Sequence, residues 1–148
     1  MPPMTWILVA HRAGARLYST SGKHQPVQLV EKILHPEGRL RNQDIDEDSG
    51  GRSFDRLGEQ RHTMGSAEEP IEHVADVFVK ALAERLRAGR IDGDCDEIVL
   101  VAGPRLLGKL RLALDPSTAN LVIRGLDKDF GEHFDHELPA ILSKALAL

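Results

Sequence analysis

Apolar positions cluster in short, dense runs over the first third of the chain and recur at helical spacing later on. Thr5–Ala10 (TWILVA) is a continuous apolar run and predicts a buried strand. The Ala13-Gly14-Ala15 stretch is a turn signal, and Arg16–Thr20 (RLYST) alternates, so the two segments are expected to pair as a hairpin. After a second turn at Ser21-Gly22-Lys23, Pro26–Leu34 predicts a third strand, with Val27, Leu29 and Ile33 inward and the proline at its start, where a missing N–H is tolerated. Ile71, Val74, Phe78, Leu82 and Leu86 recur at three and four and predict a helix over Pro70–Ala88. Ser66 and Glu69 have the spacing of a capping box, and Gly89 stands as the C-terminal stop. Glu97–Ala102 (EIVLVA) is a near-continuous apolar strand, as a strand covered on both faces requires. Pro104–Leu114 predicts a second helix closed by Asp115-Pro116. Asn120–Arg124 predicts a fifth strand, and Glu132–Leu146 a last helix that Pro139 kinks or restarts.

The resulting order, β-β-β-α-β-α-β-α, implies antiparallel pairing in the first half and parallel pairing in the second. The predicted fold class is α/β: a mixed five-stranded sheet with Trp6–Ala10 central and parallel to Glu97–Ala102. The order of elements is that of ribonuclease H-like architectures. Residues 1–148 are expected to form a single domain, interrupted by a long loop at 36–69. That segment has five glycines and no sustained period.

Composition narrows the function classes. The 148 residues include 19 basic and 23 acidic side chains, a net charge of −4. The segment Pro36–Glu69 alone carries five arginines against nine acids, again a net of −4, so the remainder is neutral. A broad basic face for duplex DNA is therefore not expected, although net charge leaves room for a local basic patch. No apolar run approaches the ~20 residues of a membrane helix. The Met1-Pro2-Pro3-Met4 start has no basic residue, so no secretory signal and no membrane insertion are expected. Cys95 is the only cysteine, which excludes an internal disulfide. The expected location is the cytoplasm.

Several stretches resemble reactive motifs and fail on their chemistry. A two-metal nuclease of the ribonuclease H type needs a carboxylate within the first strand, and Trp6–Ala10 has none. Gly103-Pro104-Arg105-Leu106-Leu107-Gly108-Lys109-Leu110 nearly fits the phosphate loop, but Leu110 occupies the position of the hydroxyl that ligates magnesium. What survives is a weaker expectation, that Arg105 and Lys109 hold an anion at the start of that helix. The Asp92-Gly93-Asp94-Cys95-Asp96 run lacks the Gly and Glu spacing of a calcium loop and reads as an acidic turn. His133, Asp135, His136 and Glu137 lack an HExxH partner set and read as surface residues. Cys95 has no neighbouring base to activate it. No catalytic residue, metal site or cofactor is assigned.

The long segment carries the candidate binding residues: Arg39 and Arg41, then Gly50, Gly51, Arg52 and Ser53, then Arg61 and His62. Arginines among glycines suit contact with phosphate or carboxylate, where a fork of donors matters, while the nine acids could instead pair with them and order the loop. TWILVAHRAGARLY, HPEGRLRNQD, GGRSFD with QRH, LVAGPRLLGKLR, and LDKDF with HELP occur in that order along nearly the whole chain. In these motifs the chain resembles the bacterial host-attachment protein family. That family is similar in turn to the middle domain of archaeal and eukaryotic peptide-release factors, where a Gly-Gly-Gln loop enters the peptidyl-transferase centre. Gly50-Gly51-Arg52 is the triplet found here. The resemblance implies a cytoplasmic, non-enzymatic protein that meets RNA or the ribosome through its Arg/Gly loop. Two alternatives of other classes stand beside it: an adhesion or regulatory factor acting through another protein, and a hydrolase using His62 or His11.

Overall fold

In the computed structural model of the chain, residues 2–22, 24–34, 61–130 and 136–147 are described, with side chains of the first helix described from residue 73 onward. Five strands form one open sheet: β1 (Thr5–His11), β2 (Gly14–Thr20), β3 (Gln28–Leu34), β4 (Glu97–Ala102) and β5 (Val122–Asp127), in the order β3-β2-β1-β4-β5. As expected, β1 is central, antiparallel to β2 and parallel to β4, and the sheet is mixed. A two-residue connection, Arg12-Ala13, joins β1 to β2, since His11 pairs with Gly14.

Both faces of β1 and β4 are buried, and alternation deals their side chains to two cores. Trp6, Leu8 and Ala10, with Ile98, Leu100 and Ala102, face α1 (Arg61–Asp92) and α2 (Pro104–Ala113). Ile7, Val9, Val99 and Val101 face the other way, toward Leu138 and Leu142 of α4 (Leu138–Ala145) and toward Phe130 and Val27. α1 presents Phe78, Val79, Leu82, Ala83 and Leu86 to the first core, so the face read from the sequence is the one buried.

The bounds of several elements differ from expectation, each for a local reason. α1 begins at Arg61, so Arg61–Glu69, predicted as loop, are helical and Pro70 lies inside the helix. Met64, Ala67, Glu68 and Glu69 are favourable helix residues, and the helix runs on through Pro70 although that residue donates no hydrogen bond to it. Gly89 is not the stop. It lies within α1, and a Cβ there would fall on the Trp6 ring, so the residue is glycine because the helix crosses β1 at that point. The helix ends instead at Gly93, whose φ of +77° suits glycine. The Gly93 N–H donates to the Arg90 carbonyl at 3.1 Å and the Asp94 N–H to the Gly89 carbonyl at 2.9 Å, the paired bonds of a Schellman turn.

β3 starts at Gln28 rather than Pro26, and a bulge between Leu17 and Tyr18 leaves Val30 extra on the β3 side. One inserted residue reverses the alternation. Glu31 and Ile33 therefore keep one face, while Leu29 lies opposite Tyr18 and is exposed, contrary to its predicted inward place. Asp115-Pro116 ends α2 as expected but also starts a short helix, α3 (Pro116–Ala119), with the Asp115 carboxylate accepting from the Thr118 N–H at 3.2 Å. That turn takes up Asn120 and Leu121, and β5 shifts forward to Val122–Asp127. α4 starts at Leu138, with Pro139 in its first turn, where proline is tolerated. The upstream part of the predicted helix, through residue 135, lies outside the described residues.

Two glycine substitutions should have opposite signs. Gly108 is exposed in α2, and a Cβ there meets nothing within 4 Å, so Gly108→Ala should raise stability by about 0.5–1 kcal/mol. Gly89→Ala gains the same propensity but must displace the buried Trp6 ring, and should lower stability by about 1–3 kcal/mol. Urea unfolding of both variants measures this, and equal shifts would show that the Trp6 contact does not constrain α1.

Candidate functional site

In open α/β sheets, ligand sites form beyond the carboxyl ends of the parallel strands. At that end of this sheet β1 finishes in His11, and Arg12 occupies the turn to β2. β4 leads through Gly103 into α2, and β5 is followed by Lys128, Asp129 and Phe130. Arg16 of β2 sits in register between Val9 of β1 and Lys32 of β3, so two cations stand directly opposite each other. Like charges in directly opposed positions work against sheet pairing. Arg12 and Lys128 are exposed at the same end.

His11 sits within this charged group. Burial is the main cause holding its pKa below the ordinary value, the Arg16 cation adds to the effect, and the Asp129 carboxylate opposes it. The ring's Nδ1 accepts a hydrogen bond from the Ala13 N–H at 3.3 Å. A neutral ring held in this way carries its proton on Nε2 and is set up to donate there. That arrangement suits contact with an acceptor such as a phosphate oxygen better than the general-base role a hydrolase would ask of His11.

The sequence-predicted pair Arg105 and Lys109 lies one turn apart on α2, in different surroundings. α2 starts directly after Gly103, with Pro104 at its first position, so the resemblance to a phosphate loop falls on a helix. Leu107 and Leu110 are buried in the core. Arg105 is exposed in the first turn. One turn on, the Lys109 ammonium donates to the Asp76 carboxylate at 2.8 Å, linking α2 to α1 and holding the Asp76 carboxyl below its usual range. Lys109 is therefore a helix–helix link, and only Arg105 of the two faces outward at the carboxyl end. Arg61 and His62 lie in the first turn of α1, their side chains outside the described set. Arg39, Arg41, Gly50, Gly51, Arg52 and Ser53 lie outside the described residues, as do His133 and Asp135. β3 ends at Leu34 opposite Gly14, so the segment bearing those arginines departs from the same end of the sheet as His11 and Arg12.

Arg12, Arg16, Lys32 and Lys128 were not singled out from the sequence. Arg16 and Lys32 meet through cross-strand register, while Arg12 and Lys128 follow the last residues of β1 and β5. Cys95 is buried, and burial first, then Asp96 and Asp94, pushes its thiol up to about 11.

Two measurements follow from these environments. A histidine whose folded pKa is depressed binds fewer protons folded than unfolded. Its contribution to stability is thus present above the unfolded value of about 6.5 and is lost as pH falls through the lowered folded value. The wild-type protein should lose more stability between pH 7.5 and 5 than a His11→Gln variant, and parallel pH profiles would contradict the buried neutral ring. Cys95 in the native chain should resist alkylation at about pH 8, where a free thiol of pKa ~8.5 reacts readily, and should react on unfolding.

Among the described residues no helix is long and apolar enough to cross a membrane, and no group of three or more His, Cys, Asp or Glu side chains could hold a metal ion. No curated protein matches the chain. The family model for proteins required for attachment to host cells matches residues 6–142, from the first residues of β1 into α4. On that match, which spans nearly the whole sheet and its helices, the chain belongs to the host-attachment family.

Proposed function

We propose that this host-attachment family member is a non-catalytic, cytoplasmic binding protein that meets RNA or a ribosomal surface through the carboxyl end of its sheet. The observation that carries this reading is the placement of Arg16 opposite Lys32, with Arg12, Arg105 and Lys128 at the same end, where the segment holding Arg39, Arg41 and Arg52 also departs. Five cations gathered at this end against the exposed Asp127 and Asp129, on a chain of net charge −4, suit a phosphate backbone met over a limited area. The strand order β3-β2-β1-β4-β5 supports a ribonuclease H-like fold akin to the release-factor middle domain. The Gly50-Gly51-Arg52 triplet has a cation where the release-factor loop has a glutamine amide, which favours binding without release chemistry.

The test is recovery of partners from native lysate with and without ribonuclease, joined to a salt titration on purified ribosomes. Ribosomal proteins should be captured and should vanish on ribonuclease treatment. Arg12→Ala with Arg105→Ala, and separately Arg52→Ala with Arg61→Ala, should weaken binding and reduce the salt slope by about one unit for each phosphate no longer neutralised. Partners that survive ribonuclease would favour the protein–protein reading instead. Unchanged affinity and slope in both double variants would reject these arginines as the RNA-binding groups.

A further inference from the structure

The opposite end of the sheet carries a feature that the proposed RNA contact does not use. On the face covered by α4, near the amino ends of β1 and β4, an open groove of about 210 Å³ lies over Ile7 and Val99. Leu146, just past the end of α4, and Ile123 of β5 form one wall, and the floor is buried. Two charged side chains line this apolar space, Glu97 of β4 and Arg124 of β5. Each is anchored by a different neighbour. The Thr5 hydroxyl donates to the Glu97 carboxylate at 3.1 Å, and the Arg124 guanidinium donates to the Leu146 carbonyl at 3.3 Å. Both bonds leave capacity over: a carboxylate has about four acceptor sites and a guanidinium five donors.

The register sets where the two residues stand on the sheet. Arg124 pairs with Val99, two residues beyond Glu97 on the adjacent strand. One strand spacing across and two residues along put their Cα atoms roughly 8 Å apart, and both side chains line the same groove. Such a molecule would present a cation to Glu97 and an anion to Arg124 on neighbouring atoms, with an apolar part directed to Ile7 and Val99. At ~30 Å³ per water the groove has room for roughly seven non-hydrogen atoms, below the ~300 Å³ of pockets that take drug-sized ligands. We propose that this groove binds a free aliphatic α-amino acid of about the size of valine, its ammonium on Glu97, its carboxylate on Arg124 and its side chain on the apolar floor. The opposed charges at an apolar pocket of this size carry the assignment, and it stands independently of the RNA-binding reading.

Titration of the full-length chain with L-valine, followed by calorimetry or by amide shifts of Thr5, Glu97 and Arg124, tests it. Saturable binding is expected. Isobutylamine, which lacks the carboxylate, and isovalerate, which lacks the ammonium, should each bind at least about tenfold more weakly. Glu97→Gln and Arg124→Ala should weaken valine binding by at least a similar factor. Because Arg124 also caps α4, Ile123→Asp serves as a second variant: Ile123 is exposed, so the fold should hold while a carboxylate on the wall abolishes binding. Absence of saturable binding at about 10 mM valine would overturn the proposal. So would analogue affinities equal to that of valine, or undiminished binding by a folded Ile123→Asp variant.

Discussion

One close approach organises the fold: the Trp6 ring of the central strand lies where a side chain at residue 89 of α1 would be. The helix can reach the sheet there only because position 89 has no Cβ. The Arg85 guanidinium, one turn before Gly89 on the same helix, also lies over the ring, 4.9 Å from its centroid. Arg85 in turn donates to Glu31 of β3 at 2.7 Å, so a single turn of α1 is tied to the centre and to one edge of the sheet. The ion pair is partly exposed and contributes little on its own. Its value is directional, since it fixes how the helix lies across three strands. The Schellman turn at Gly93 then brings the chain back, and two reciprocal bonds set the start of β4: the Asp96 N–H donates to the Met4 carbonyl at 2.8 Å, and the Met4 N–H to the Asp96 carboxylate at 2.9 Å. The acidic turn that resembles a calcium loop is thus a device for entering parallel register.

The two ends of the sheet have different chemistry as a result. At the carboxyl end, register sets Arg16 against Lys32 beside a half-buried His11, two like charges directly opposed across the strands. At the amino end, the two charges Glu97 and Arg124 are placed diagonally around apolar floor residues. Between them β1 and β4 bury Trp6 and otherwise only aliphatic side chains from Ile7 to Ala10 and from Ile98 to Ala102. Natural sequences set aside local consistency mainly at functional positions, and both exceptions here lie at the ends of the strands, clear of the central core.

The parts of the fold written in local patterns were legible. Trp6–Ala10 and Glu97–Ala102 are apolar on both faces, so their central place followed from composition, and the Phe78-Leu82-Leu86 spacing gave the buried face of α1. The misplaced bounds depended on distant contacts. Gly89 looks like a helix terminator to any local rule, and only the Trp6 ring, more than eighty residues away in sequence, gives it its role. The bulge at Val30 left no mark in the alternation of β3, so Leu29 read as inward. For the candidate site the difficulty was similar. Lys109 was legible as a cation, but its partner Asp76 lies on another helix, and Arg16 and Lys32 become neighbours only once β2 and β3 are in register. The Arg/Gly segment was readable by type of residue, whereas the grouping at the strand ends was not.

The position of β1 also has a consequence for how the protein is made. Its antiparallel partner follows within a few residues, but Thr5 pairs on the other side with Glu97, 92 residues later. At about 5–20 residues per second on the ribosome, that partner emerges roughly 5–18 s after β1. Until then one edge of Thr5–His11, apolar on both sides, remains available to any other extended chain. The strand that becomes the most protected in the finished sheet is therefore the one most open to misassembly during synthesis.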